Sequence, residues 1–169
     1  MFTQNQLLEH FQTHQLSYKL YQHAAVATVE QDLQAIAELN IPGVVIKNLF
    51  LKDDHKNFYL VSAVHTTKID LKTLGKVIGA KKLRFADPTL LKTHLGVEPG
   101  SVTPLALIND PEHTVKFVLD SNALQQDYIQ VHPLRNDATV AITPTDLLQF
   151  LKLMDRKYHV YNFTHNELE

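Results

Sequence analysis

Val44-Val45-Ile46-Lys47-Asn48-Leu49-Phe50-Leu51 and Phe58-Tyr59-Leu60-Val61-Ser62-Ala63-Val64 flank the polar stretch Lys52-Asp53-Asp54-His55-Lys56-Asn57. Two near-continuous apolar runs of strand length, joined by a segment of turn composition, read as a pair of central strands in a hairpin. The same stretch singles out one residue. Lys47 stands where a buried strand would carry Leu or Val, and an ammonium among apolar neighbours is costly unless it has a partner or a task. The plain alternative is a lysine at a strand edge whose head reaches water along its stem.

Working outward toward the N-terminus, Thr28-Val29-Glu30-Gln31 has the form of a capping box. It opens a helix whose stripe of Leu33, Ile36, Ala37 and Leu39 is expected to pack on the core and to end before Pro42-Gly43. Before it, Thr3 caps a helix carrying Leu7, Leu8 and Phe11, and Tyr18-Lys19-Leu20-Tyr21 is extended. Toward the C-terminus, Asp70 opens a helix through Leu71, Leu74 and Val77 to Gly79, a short strand follows at Leu83-Arg84-Phe85, and Asp87-Pro88 opens another helix to Gly96. Strands are expected at Leu105–Ile108, Val115–Leu119, Tyr128–Val131 and Thr139–Ile142, and Thr143-Pro144 starts a last amphipathic helix with Leu147, Leu148, Phe150 and Leu151. The tail from Asp155 to Glu169 is polar enough to be partly mobile, with Val160-Tyr161-Asn162-Phe163 as a possible edge strand. The pattern predicts a single α/β (α+β mixed) domain over residues 1–169, with a mixed, curved sheet flanked by helices.

Composition narrows the function classes. Of 169 residues 44% are apolar, enough for one sizeable core. There is no cysteine, which excludes disulfides, thiol nucleophiles and thiolate metal sites. No apolar run approaches the roughly 20 residues needed to span a bilayer, and the N-terminus lacks a basic region followed by an apolar stretch. A soluble, unprocessed, cytoplasmic protein without membrane contact is the expectation. A net charge of −2 rules out binding of nucleic acid by bulk charge, so a polyanion must be met locally. Lys76, Lys81, Lys82 and Arg84 form a basic cluster that either meets phosphates or flanks a helix end.

Further candidates for chemistry follow from residue type. Gly100-Ser101-Val102-Thr103-Pro104 joins a residue that permits φ > 0 to one that fixes φ, which makes either a rigid backbone cradle or an ordinary turn. Ser101 and Thr103 invite a nucleophile reading, yet neither has a triad-like partner. His132, before Pro133 at a strand end, reads on residue type as a cap of the strand, while His23 precedes an Ala-Ala turn and Asn136 is a further polar residue nearby in sequence. Val45, Leu60 and Leu107 are strand-borne candidates for pocket walls. The remaining histidines have no consistent ligand spacing: His10 and His14 are four apart, but no zinc-protease Glu lies between them in the required place. No metal site and no cofactor is expected.

The ordered set Lys47-Asn48-Leu49-Phe50-Leu51, Leu71 to Lys82, Gly96 to Pro104, Leu107-Ile108-Asn109-Asp110, His132-Pro133-Leu134 with Asn136, and Thr143 to Leu148 resembles the YbaK/ProX family from about His23 to Leu151. These are freestanding relatives of the editing insertion domain of bacterial prolyl-tRNA synthetase. The resemblance is greatest to the branch that deacylates alanyl-tRNA(Pro), which often has a histidine where this chain has Val45. It implies a metal-independent aminoacyl-tRNA deacylase acting in trans. Alternatives in the same fold are a deacylase for Cys-, Ser- or Thr-charged tRNA and a non-catalytic binder of tRNA ends or of a synthetase. By the same resemblance Lys47, Gly100 and Pro104 are the catalytic candidates, and Val45, Ser101, Val102, Thr103, His132 and Asn136 line the substrate. Its partners are the tRNA(Pro) acceptor end and prolyl-tRNA synthetase, met as a monomer.

Overall fold

The computed structural model describes residues 1–169. In chain order the elements are α1 (Gln4–Thr13), β1 (Lys19–Gln22), α2 (Val29–Leu39), β2 (Val44–Lys52), β3 (Phe58–Val64), α3 (Leu71–Ile78), β4 (Arg84–Phe85), α4 (Pro88–Leu95), β5 (Val115–Asp120), β6 (Ile129–Val131), β7 (Ala138–Ile142), α5 (Pro144–Leu153), β8 (Tyr158–Asn162) and β9 (Glu167–Leu168). Short 3-10 helices run over Pro104–Asn109 and Ser121–Gln125. The expected caps form: Thr3, Thr28, Asp70, Asp87 and Thr143 each accept a backbone N–H in the first turn of their helix.

The strands make one mixed nine-stranded sheet in the order β1-β7-β6-β2-β3-β5-β8-β9, with β4 beside β2. Pairs β2–β6, β3–β5 and β5–β8 are parallel and the rest antiparallel. The apolar runs of β2 and β3 are continuous because both faces of the pair are covered. Ile46, Phe50 and Leu60 join the main core with α1, α4 and α5, whereas Leu51, Tyr59 and Val61 join a second cluster with Leu74, Val118 and Tyr161. Asp53 fixes the hairpin by accepting from the backbone N–H groups of His55 and Asn57, the Asn57 amide and the Tyr59 hydroxyl. Burial opposes charge on Asp53, but these donors hold its carboxyl below the usual range, while burial and the Asp53 charge push the Tyr59 phenol up to about 12.

Three expectations are corrected. Leu105–Ile108 is a buried 3-10 turn, not a strand: Pro104 fixes φ at its first position and the Thr103 hydroxyl accepts the Leu105 N–H at 3.3 Å. A short apolar run carries no periodicity that separates the two forms. The stripe on α2 does not pack on the core either. The helix turns Asp32 inward, flanked by half-buried Ala35 and Ile36, and leaves Leu33 and Leu39 about 40% exposed.

The tail, finally, is part of the sheet rather than mobile: the strand expected at Val160–Phe163 forms over Tyr158–Asn162, with β9 beyond it at the edge. β8 lies parallel to β5, and Arg156 just before it is 5% exposed. Its guanidinium donates to Asp110 Oδ2 at 3.1 Å and to the carbonyls of Val115, Leu107 and Asp110. Asp110 in turn accepts from Thr114 and from the Val115 N–H, so the pair ties the 3-10 turn, β5 and the tail together. Removing one partner strands the other as a buried charge. Arg156→Ala is therefore expected to lower unfolding stability by about 3–5 kcal/mol in urea titrations, against no more than about 0.5 kcal/mol for the exposed neighbour in Lys157→Ala.

Candidate active site

Strand β2 is flanked by β3 on one edge, from Ile46 to Lys52, and on the other by β6 at its start and β4 at its end. β6 pairs with Val44 and Val45, β4 with Leu51 and Lys52, and the Ala86 N–H reaches the Phe50 carbonyl at 3.0 Å, so between them Ile46–Leu49 pair with β3 alone. A cleft of about 310 Å³ opens along this free edge. Successive side chains of a strand point to opposite faces, so the presence of both Lys47 and Asn48 in the lining means that the cleft straddles the edge.

Lys47 is half-buried and makes no ion pair. Its ammonium donates to the Thr67 carbonyl oxygen. That carbonyl is itself held in place: the Thr67 hydroxyl donates to Asp120 Oδ2 at 2.7 Å, the Val64 N–H donates to the same oxygen at 3.1 Å, and Asp120 is 1% exposed. A buried carboxylate on β5 thus pins the turn that orients the lysine. Asn48 is fixed from the other side, its Oδ1 accepting from the buried Ser62 hydroxyl at 2.5 Å.

The facing wall is the segment that leads into α2. Backbone bonds from His23 to Asp137 and from Val26 to Asn136 lay it beside the loop before β7, and Asn136 Nδ2 donates back to the Val26 carbonyl at 2.7 Å. Val26 to Val29 and the buried Asp32 then close over the cleft. Gly100, at φ +87°, and Val102 complete the lining, and the positive φ is what makes glycine fitting there. His132 also lines it; its Nδ1 donates to the Ala138 carbonyl at 2.8 Å, which leaves the unshared pair on Nε2.

Of the residues singled out from the sequence, Val45, Lys47, Gly100, Val102 and His132 come together in the cleft. Asn136 stands behind it, with its amide nitrogen 3.5 Å from where a Gly100 side chain would begin. Ser101, Thr103 and Pro104 are buried outside the lining, and Thr103 serves as a cap. Leu60 and Leu107 are fully buried in the main core and so form no wall of the cleft. His23 bonds to Ala24 and Thr139, its ring 6.5 Å from that of His132. Lys76, Lys81, Lys82 and Arg84 are exposed, with Lys82 and Arg84 near Asp54. Asn48 in its lining role, Asp32, Thr67 and Asp120 escaped the sequence reading. Asn48 adjoins Lys47 in the same motif, but nothing local to the other three marks them.

A larger hollow of about 650 Å³ lies beside α1, lined by Phe2, Glu9 and His10 among others. Burial and the neighbouring His14 lower the His10 pKa. It lacks a lysine and lies away from β2. No three His, Cys, Asp or Glu side chains sit together as a metal site, and no helix is long and apolar enough to cross a membrane.

The profile of the aminoacyl-tRNA editing domain matches residues 23–150. The chain is 43% identical over 133 residues to the prolyl-tRNA synthetase associated domain-containing protein 1 of Danio rerio, covering 78% of this chain and 71% of that protein. It is 37% identical over 140 residues to the prolyl-tRNA editing protein ProX of Acetoanaerobium sticklandii, covering 81% and 83%. The crystal structure of a hypothetical protein, APE2540, superimposes with a TM-score of 0.70 at 20% identity over 86% of this chain and 93% of that one, a likeness of fold.

The hydrogen bond to Ala138 fixes the tautomer of His132. In ¹⁵N-edited NMR spectra of the protein at alkaline pH, Nδ1 of His132 is expected to carry the proton and Nε2 to resonate as an unprotonated nitrogen. The opposite assignment would mean that the ring is not held in this way.

Proposed function

The chain belongs to the aminoacyl-tRNA editing domain family, and from that premise we propose that it is a deacylase that hydrolyses, in trans, the ester of mischarged tRNA(Pro), with alanine as the amino acid removed. One observation carries the reading: a lysine without a counter-charge stands at the free edge of an otherwise paired strand, in a cleft at the small end of the range for ligand pockets. An aminoacyl ester is already activated, so its hydrolysis needs a placed water, stabilisation of the oxyanion and a grip on the tRNA end rather than a nucleophilic side chain.

Each lining group has a part in that scheme. Lys47 is a point charge on a flexible stem, already held by one carbonyl, and it anchors the tRNA 3′ end beside the ester. The backbone around Gly100 comes close to the substrate because no side chain intervenes, and it places the water or the ribose hydroxyl. His132 offers Nε2 to the aminoacyl pocket, where it bounds the space for the side chain together with Val45 and Val102. Pro104, Thr103 and Ser101 act from behind, by fixing the course of the loop. An apolar pocket separates amino acids that differ by a methylene by only about 1–3 kcal/mol, which is why a synthetase that admits alanine in place of proline needs a second, smaller sieve.

The reading extends to the rest of the molecule. Residues 1–169 act as one editing domain, as a monomer in the cytoplasm, without a metal ion, on aminoacyl-tRNA released by prolyl-tRNA synthetase. With a net charge of −2, few phosphates are contacted, so binding falls only gently with salt.

The deciding experiment is hydrolysis of tRNA(Pro) charged with Ala, Cys, Ser, Thr or Pro. Alanyl-tRNA(Pro) is expected to be cleaved fastest and prolyl-tRNA(Pro) spared; equal rates on those two would refute the size-based selection. Lys47→Ala is expected to lower turnover at least about 100-fold with an unchanged melting temperature. Normal turnover by the folded variant would remove Lys47 from the mechanism. Chelation by EDTA is expected to leave the rate unaltered, and a loss restored by one divalent ion would show a metal requirement.

A further inference from the structure

Asp32 is the odd residue of the cleft. It is 8% exposed, it lines the cleft together with Lys47, and its Oδ1 is wholly buried without a hydrogen-bond donor. No basic side chain lies within ion-pair distance of it. Its position in the first turn of α2 places it near the positive end of the helix, which eases the charge but brings no donor to Oδ1. Other buried carboxylates of this protein are satisfied: Asp53, Asp110 and Asp120 each accept three or more hydrogen bonds. A carboxylate with one oxygen held dry and unpaired costs folding free energy, and that cost is recovered when a cation from outside completes it.

The α2 stripe sharpens the point. Leu33, next to Asp32, is left about 39% exposed while the acid is turned in. The cleft therefore presents one fixed cation, Lys47, and one fixed anion, Asp32, on an otherwise largely apolar lining. An aminoacyl ester is the complementary dipole: an α-ammonium one carbon from a carbonyl whose oxygen turns negative during hydrolysis. We propose that Asp32 receives the α-ammonium group of the aminoacyl ester and thereby makes the site selective for esters of free amino acids, an inference that rests on the deacylase reading above.

The test compares the tRNA(Pro) ester of the panel that the protein hydrolyses fastest with its α-hydroxy analogue, made from it by nitrous-acid deamination. The exchange of ammonium for hydroxyl keeps the size and removes the charge. Each rate is divided by the spontaneous hydrolysis of the same ester, because the ammonium also activates its own ester. The wild type is expected to prefer the amino ester by about 10- to 100-fold in kcat/KM. Asp32→Asn is expected to lose that preference through the amino ester alone, the hydroxy ester being cleaved as before. Because the substitution removes an unpaired buried charge and no hydrogen bond to Oδ1, the variant is expected to melt at or above the wild-type temperature, which a structural role would not allow.

A preference kept by a folded Asp32→Asn protein would overturn the inference and leave the deacylase reading standing. So would equal wild-type rates on the two esters, or a variant that melts lower and slows on both alike. If the wild type cleaves no ester of the panel, the deacylase reading falls and this inference falls with it.

Discussion

The change of partners along β2 is the constraint on which the site depends. The strand leaves β6 after Val45 and continues against β3, and the point of departure is set by Gly43 and Gln130. Gly43 has φ +93°, and a side chain there would begin 2.3 Å from the Tyr128 carbonyl oxygen. Gln130, buried on β6, donates to the carbonyls of Ile41, Pro42 and Gly43, so the entry to β2 is held by a single amide. A slip of one residue would exchange the faces of Lys47 and Asn48 and put the ammonium into the main core. Register here decides chemistry as well as packing.

Charges inside the molecule fall into two kinds. Arg156 and Asp110 are buried, paired and supplied with further bonds from backbone and threonine, an arrangement that fixes one chain path. Lys47 and Asp32 are incompletely matched, and both face the same cleft. Asp120 belongs to the first kind but serves the second, since its saturated carboxylate holds the turn whose carbonyl meets Lys47.

What was legible from the sequence tracks how local each cause is. Helix caps at Thr3, Asp70, Asp87 and Thr143 and the β2–β3 hairpin are written in neighbouring residues, and they formed as expected. Lys47 was visible because an apolar strand made it anomalous. Leu105–Ile108 is ambiguous in the sequence because four apolar residues carry no period, and only the structure shows Pro104 starting a 3-10 turn. The orientation of α2 depends on the contacts of Val26 with Asn136, more than 100 positions away, so nothing near Asp32 in the sequence marks it as turned inward. The tail looked mobile because its composition is polar, although Arg156 is neutralised by a residue 46 positions earlier.

An unpaired strand edge is normally a hazard, because its N–H and C=O groups can template addition of a strand from another chain. In this sheet the exposed ladder lies in the interior, not at an end. It spans only Ile46–Leu49, roughly 14 Å at about 3.4 Å per residue, and it is stopped on one side by β6 and on the other by β4 and the Ala86 N–H. An incoming strand would collide with both before it could register, and α2 and the Gly100 loop stand across the approach. The fold thus leaves a short run of backbone polar groups unpaired while denying them to other polypeptides, so the open edge carries little risk of aggregation.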